Sequence, residues 1–135
     1  MILLLAGTTE ARILAGYMAE AGIKTVASLA GATRTPLAMA VETRVGGFGG
    51  DAGFEAYLDA TGITAVIDAT HPFAAQITAR TARICAGRGL PYLRYDARAG
   101  AHVRGMPGMR WRITRVCRRS SRSARGCFWQ QAGKA

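Results

Sequence analysis

The chain has 135 residues, half of them hydrophobic, and a formal net charge of +10. That length sets a prior of one domain whose core needs no disulfide or metal staple, and no stretch approaches the roughly 18 apolar residues of a membrane span. The three cysteines, Cys85, Cys117 and Cys127, show neither CxxC spacing nor a matching histidine pair, so zinc and a disulfide framework are not indicated, and a reducing cytoplasm is expected.

The apolar run at the start has no basic residue ahead of it and is too short for an export signal. It reads as a strand, Ile2 to Ala6, that empties into Gly7-Thr8-Thr9-Glu10-Ala11-Arg12 and then into a helix with Ile13, Leu14, Tyr17, Met18 and Ala21 at helical spacing, closed by Gly22. Lys24 to Ser28 reads as a second strand, followed by a loop with Gly31 and Pro36 and a short third strand near Glu42 to Val45. Gly46-Gly47-Phe48-Gly49-Gly50 then leads to a helix with Phe54, Tyr57 and Leu58 on one face, closed by Gly62. Ala65 to Asp68 is a buried fourth strand. Thr70-His71-Pro72 is expected to cap a helix carrying Phe73, Ile77, Thr81 and Ile84, with Pro72 in its first turn, and Pro91 to Tyr95 is the fifth strand.

Strands alternating with helices through short loops predict an α/β fold, a Rossmann-like doubly wound parallel sheet of about five strands. Ligands of such sheets bind at the carboxyl ends of the strands, near the point where strand order reverses. The loops after strands one to four all fall at that edge.

Each loop has a chemistry that suits a nucleotide and a plainer alternative. The turn after the first strand leaves N–H groups unpaired at the positive end of a helix, as in phosphate sites, but it has only one glycine of GxGxxG, a weak fingerprint alone. The hydroxyls of Thr8 and Thr9 suit phosphate oxygens or helix capping. Glu10 suits a ribose or merely complements the helix dipole. An NAD site usually has a carboxylate on the ribose 2′-hydroxyl at the end of the second strand; here that strand ends in Ser28, with Thr33 and Arg34 nearby, which favours NADP. Arg34 reads equally well as a solvated loop charge. Four glycines around Phe48 suit backbone passing close to a flat ligand, or a merely flexible loop. His71 reads equally as a structural histidine or as a group at the ligand edge.

Taken together, MILLLAGTTEAR (1 to 12), SLAGAT (28 to 33), RVGGFGG (44 to 50) and DATHPFA (68 to 74) closely resemble the precorrin-6A reductase family of cobalamin biosynthesis. The four motifs occur in order with matching spacing, over roughly Met1 to Tyr95. The resemblance implies a reduced nicotinamide dinucleotide, usually NADPH with NADH as the alternative, giving hydride to a double bond of the precorrin-6A macrocycle to make precorrin-6B. Relatives of the anaerobic pathway reduce the cobalt-containing form, and the sequence does not separate the two. Carried over, Gly7, Thr8, Thr9 and Glu10 would hold the diphosphate and adjoining ribose, and Ser28, Ala30, Gly31, Thr33 and Arg34 the adenosine phosphate end. Gly47, Phe48 and Gly49 would pass close to the cofactor, while Thr70, His71 and Pro72 would lie near the nicotinamide and substrate. His71 is the candidate proton donor, and Arg12, Arg34 and Arg80 are the front-half candidates for the carboxylates of a tetrapyrrole substrate.

The tail is different. Between Met1 and Leu93 seven basic residues face seven acidic ones, whereas from Arg94 onward ten arginines and one lysine stand against Asp96 alone. Residues 1–95 are therefore expected to form the dinucleotide-binding lobe and residues 96–135 an irregular, Arg-rich tail. Family members continue into a second lobe. With one choice of codons, Cys127 to Lys134 read one base earlier spells Val-Phe-Leu-Ala-Thr-Gly-Arg-Gln, similar to words early in that lobe. A frameshift between Trp111 and Gly126 is the resulting expectation. Two rival readings stand beside the reductase: a non-catalytic dinucleotide-binding fragment, and a nucleic-acid-binding protein using the basic tail with Trp111, Phe128 and Trp129 as stacking groups. The neutral front half, with its own ligand loops, weighs against the second.

Overall fold

A computed structural model describes residues 1–31 and 38–95, together with the backbone of residues 111–112. The expectations placed on Thr33, Arg34, Pro36, Cys117, Cys127, Phe128 and Trp129 lie outside the described residues. Six strands and three helices follow in the order β1 (Ile2–Ala6), α1 (Thr9–Glu20), β2 (Thr25–Leu29), β3 (Glu42–Val45), α2 (Asp51–Ala60), β4 (Ala65–Ala69), α3 (Ala75–Arg88), β5 (Tyr92–Tyr95) and β6 (Trp111–Arg112). The sheet order is β3-β2-β1-β4-β5-β6. The first five strands are parallel, as expected of a doubly wound sheet, and β6 joins the β5 edge antiparallel. Trp111 and Arg112 thus belong to the sheet, although the sequence places them in an irregular tail.

The period-2 alternation of β1 separates two cores. Leu3 and Leu5 face Val26, Phe54, Leu58, Val66, Ile84 and Cys85, joining the sheet to α2 and α3. Leu4 and Ala6 face Ala11, Leu14, Ala15 and Met18 of α1. Helices therefore cover both faces of the sheet, and the winding reverses where β1 lies between β2 and β4. Phe54 is fully buried, a contribution of about 2–3 kcal/mol from its removal from water.

Two local expectations need correction. On α1 the buried stripe is Ala11, Leu14, Ala15 and Met18, whereas Ile13 and Tyr17 are exposed; small alanines allow close approach to the sheet, rotating the stripe toward them. And α3 starts at Ala75, with Ala74 as an N-cap that makes no side-chain bond. Thr70, His71 and Pro72 precede the helix instead of capping it, because Asp68 ties Thr70 into a local turn through its amide (3.0 Å) and hydroxyl (2.6 Å). Phe73, expected on the helix, lies before it and is 84% exposed. Among the described residues, no helix is long and apolar enough to cross a membrane.

Candidate functional site

A cavity of about 390 Å³ opens at the carboxyl ends of the parallel strands, within the usual size range of small-molecule clefts. Its lining comes from four loops: Gly7 after β1, Ser28, Ala30 and Gly31 at the end of β2, Gly46, Gly47 and Phe48 after β3, and Thr70 and His71 after β4. Arg80, on α3, completes one side. The fold thus brings together loops that are up to 64 positions apart along the chain, from Gly7 to His71. Thr8, Thr9, Glu10, Arg12, Gly49 and Pro72 do not line this cavity, although Thr8, Thr9 and Glu10 form the helix start directly beyond Gly7.

Thr8 is the cap of α1. Its Oγ1 accepts the Ala11 N–H at 3.2 Å and donates to the Ala69 carbonyl at 3.3 Å, tying the start of α1 to the end of β4. Thr8 thus makes the capping bond expected of it. The N–H groups of Thr9 and Glu10 are left at the helix start without intrahelical acceptors, beside the positive end of the dipole. Gly7 packs against the backbone of Thr70 and His71, where an added Cβ would lie 3.8 Å from each.

Behind the β4 loop is a buried polar knot. Asp68 is fully buried; it accepts from Tyr92 Oη at 2.8 Å and forms an ion pair with Arg94, whose Nη1 lies 2.7 Å away. Arg94 Nη1 also donates to the hydroxyls of Thr70 (2.9 Å) and Thr78 (2.6 Å). Burial pushes the Asp68 carboxyl up, but hydrogen bonds from Thr70 and Tyr92 and the Arg94 charge outweigh it and hold the group below its ordinary value of 3.8. Burial, with the Asp68 charge beside it, pushes the Tyr92 phenol far up. The Thr70 hydroxyl, donating to Asp68 and accepting from Arg94, faces this knot; Thr70 reaches the cavity as a lining residue whose hydroxyl is already engaged.

The opposite wall is held by Arg44. Its Nη1 donates to Ser28 Oγ at 2.8 Å and to the Gly46 carbonyl at 2.9 Å, and its Nη2 donates to the Gly47 carbonyl at 3.0 Å. Its guanidinium lies 4.0 Å from the centre of the Phe48 ring and 5.0 Å from that of Tyr57. Phe48 also meets Phe54 edge-on at 4.8 Å. Gly46, Gly49 and Gly50 have positive φ (113°, 75° and 94°), so backbone conformation explains three of the four loop glycines. Gly47 has neither a positive φ nor a neighbour that a Cβ would meet.

Sequence reasoning passed over Tyr92 and Arg94, and gave Arg44 and Asp68 no task although both stand in the quoted motifs. One signal was present for the knot: Asp68 and Arg94 are the penultimate residues of two adjacent strands and are register partners in the sheet. His71 is exposed, its Nδ1 accepting the Phe73 N–H at 3.3 Å. Arg12 is exposed on α1. Arg80 Nε is buried without a hydrogen-bond partner, 3.9 Å from Asp51.

The model of the family described as precorrin-6x reductase CbiJ/CobK matches residues 1–118. The chain belongs to this family. It is 47% identical over 95 residues to a precorrin-6A reductase of Rhodobacter capsulatus, covering 70% of this chain and 38% of that protein. With a precorrin-6A reductase of Rhodococcus erythropolis it shares 43% identity over 110 residues, 77% of this chain and 44% of the relative. A solved structure named CobK precorrin-6A reductase superposes with a TM-score of 0.70 at 44% identity, covering 77% of this chain and 41% of that one. The chain thus spans about two-fifths of the length of these family members, and the similarity runs past Tyr95, where the motif resemblance stops.

Proposed function

We propose that the described residues are the nucleotide-binding lobe of a precorrin-6A reductase, built to hold NADPH against a precorrin-6A macrocycle and yield precorrin-6B. The lobe is read as residues 1–95, with β6 completing its sheet and the remainder of residues 96–135 as a basic tail. The observation that carries the reading is the meeting of four loops around one cavity at the carboxyl edge of the sheet, in a chain of this family. The donor set fits a nicotinamide dinucleotide: unpaired N–H groups at the start of α1 for the diphosphate, and no carboxylate at the end of β2, where Ser28 stands, to repel a 2′-phosphate.

When bound, the cofactor supplies the hydride. The chain's own groups position and protonate. Gly7, Thr9 and Glu10 would take the diphosphate and its ribose, Thr8 acting through the helix cap. Ser28, Ala30 and Gly31, with Thr33 and Arg34, would take the adenosine end, and Gly47, Phe48 and Gly49 would flank the cofactor. Thr70, His71 and Pro72 would meet the nicotinamide and substrate. As an imidazolium, His71 would give up the proton that accompanies hydride to the double bond, its Nδ1 then releasing the Phe73 N–H. Arg80, and at greater distance Arg12, would attract substrate carboxylates.

Titration of the 135-residue chain with NADPH and NADH, read by nicotinamide fluorescence, tests the cofactor reading. Saturable binding with NADPH preferred is expected; no binding of either sinks it. Binding without turnover of precorrin-6A would select the non-catalytic fragment.

A further inference from the structure

We infer that Arg44 is the residue that selects a 2′-phosphorylated adenosine at this site. The inference rests on the nucleotide reading above and adds to it a task for Arg44, the first residue of RVGGFGG, which the motif by itself does not assign. At the end of β2 a dinucleotide-binding sheet either carries a carboxylate for the ribose 2′-hydroxyl or places an arginine for the 2′-phosphate. Here that position holds buried Ser28, and the group bonded to its hydroxyl is the Arg44 guanidinium.

Arg44 is held in an orientation but not neutralised. Arg80, Arg83, Arg88 and Arg94 each face a carboxylate, whereas the partners of Arg44 are a hydroxyl, two carbonyls and two aromatic faces. Among the described residues it has no acidic partner. A guanidinium has five N–H groups. Two on Nη1 and one on Nη2 are used, leaving Nε–H and one Nη2–H without an acceptor among the described residues. The stack on Phe48 and the bonds to Gly46 and Gly47 remove the conformational freedom that an exposed arginine would lose on binding an anion. A half-buried, preorganised cation with two spare donors beside Ser28 matches a phosphate monoester better than a hydroxyl.

A purely mechanical role for Arg44, bracing the glycine loop, would weaken every adenosine ligand alike. The test therefore compares adenosine 2′,5′-bisphosphate with adenosine 5′-monophosphate by calorimetric titration of the full chain. Wild type is expected to prefer the bisphosphate by roughly 10- to 100-fold, the range of charge-assisted hydrogen bonds. Arg44→Gln should reduce that preference to within a few-fold, loss of the wall it braces lowering both affinities by the same factor on top of the selective loss, and Arg44→Lys should keep part of the preference. Equal loss of both ligands in Arg44→Gln, or no preference in wild type, overturns the inference and leaves the nucleotide reading standing. Failure of wild type to bind either ligand overturns both.

Discussion

The buried pair Asp68–Arg94 offers the sharpest test of how the site is held. Asp68→Asn keeps the shape and removes the charge. The Asp68 side chain has no solvent exposure and that of Arg94 only 17%, so the guanidinium would lose its counter-charge where water can scarcely replace it. In addition, the Asn amide nitrogen would replace an oxygen that accepts from Tyr92 or Thr70. Removing one partner of such a pair costs about 3–5 kcal/mol, a large part of a typical domain stability of roughly 5–15 kcal/mol. Arg94→Met should cost less, because the carboxylate keeps its bonds from Thr70 and Tyr92. The double variant should be more stable than the sum of the singles by roughly 2 kcal/mol, since neither charge is then stranded. Urea unfolding at pH 7 followed by far-ultraviolet circular dichroism gives these values from the midpoints. The control is Arg83→Met, which removes a pair with Asp51 whose side chains are 65% and 48% exposed and should cost under about 1 kcal/mol. Singles as mild as that control, or a double variant that merely adds, would refute the reasoning.

Three further outcomes follow from the same contacts. Thr8→Ala removes the α1 cap and the hydroxyl's bond to the Ala69 carbonyl, and should cost about 1 kcal/mol in urea unfolding together with a measurable loss of nucleotide affinity. Gly53→Ala would ordinarily gain up to about 1 kcal/mol in a helix, but a Cβ at Gly53 would fall on the Phe48 carbonyl; the melting temperature should therefore drop, and a rise would show that the loop yields freely. Because the Asp68 carboxyl is held below its ordinary 3.8 in the fold, its contribution is complete above that value and is lost as pH falls through the lower, folded one. Acid unfolding below about pH 4 should accordingly be shallower in Asp68→Asn than in wild type.

Much of the fold was legible because its signals are local. The apolar runs of β1, β2, β4 and β5 and the glycines closing α1 and α2, Gly22 and Gly62, which adopt left-handed φ of 67° and 62°, are readable within a few residues of where they act. The start of α3 was misread for the opposite reason. Thr70-His71-Pro72 has the composition of a helix start, but Asp68 competes for the same amide and hydroxyl, and Asp68 is held there by Tyr92 and Arg94 from the next strand. No local pattern contains that competition.

The same distinction governs the site. Gly7, Gly31, Gly47 and His71 could be placed at the cavity from the sequence because each stands in a loop at the carboxyl edge, and parallel winding brings those loops together whatever their side chains do. The tasks of Arg44 and Arg94 were missed because both residues sit inside strands and act sideways, across the sheet, on residues 16 and 24 positions away. Their partners separate their tasks. Arg94 is neutralised by a buried carboxylate and can only hold the β4 loop in place, whereas Arg44 is oriented by neutral groups and keeps its charge and two donors. Ser28 read alone signifies only a missing carboxylate. With Arg44 bonded to it, the end of β2 carries a positive charge, and on the proposed reading that charge is what would favour a 2′-phosphate over a bare hydroxyl.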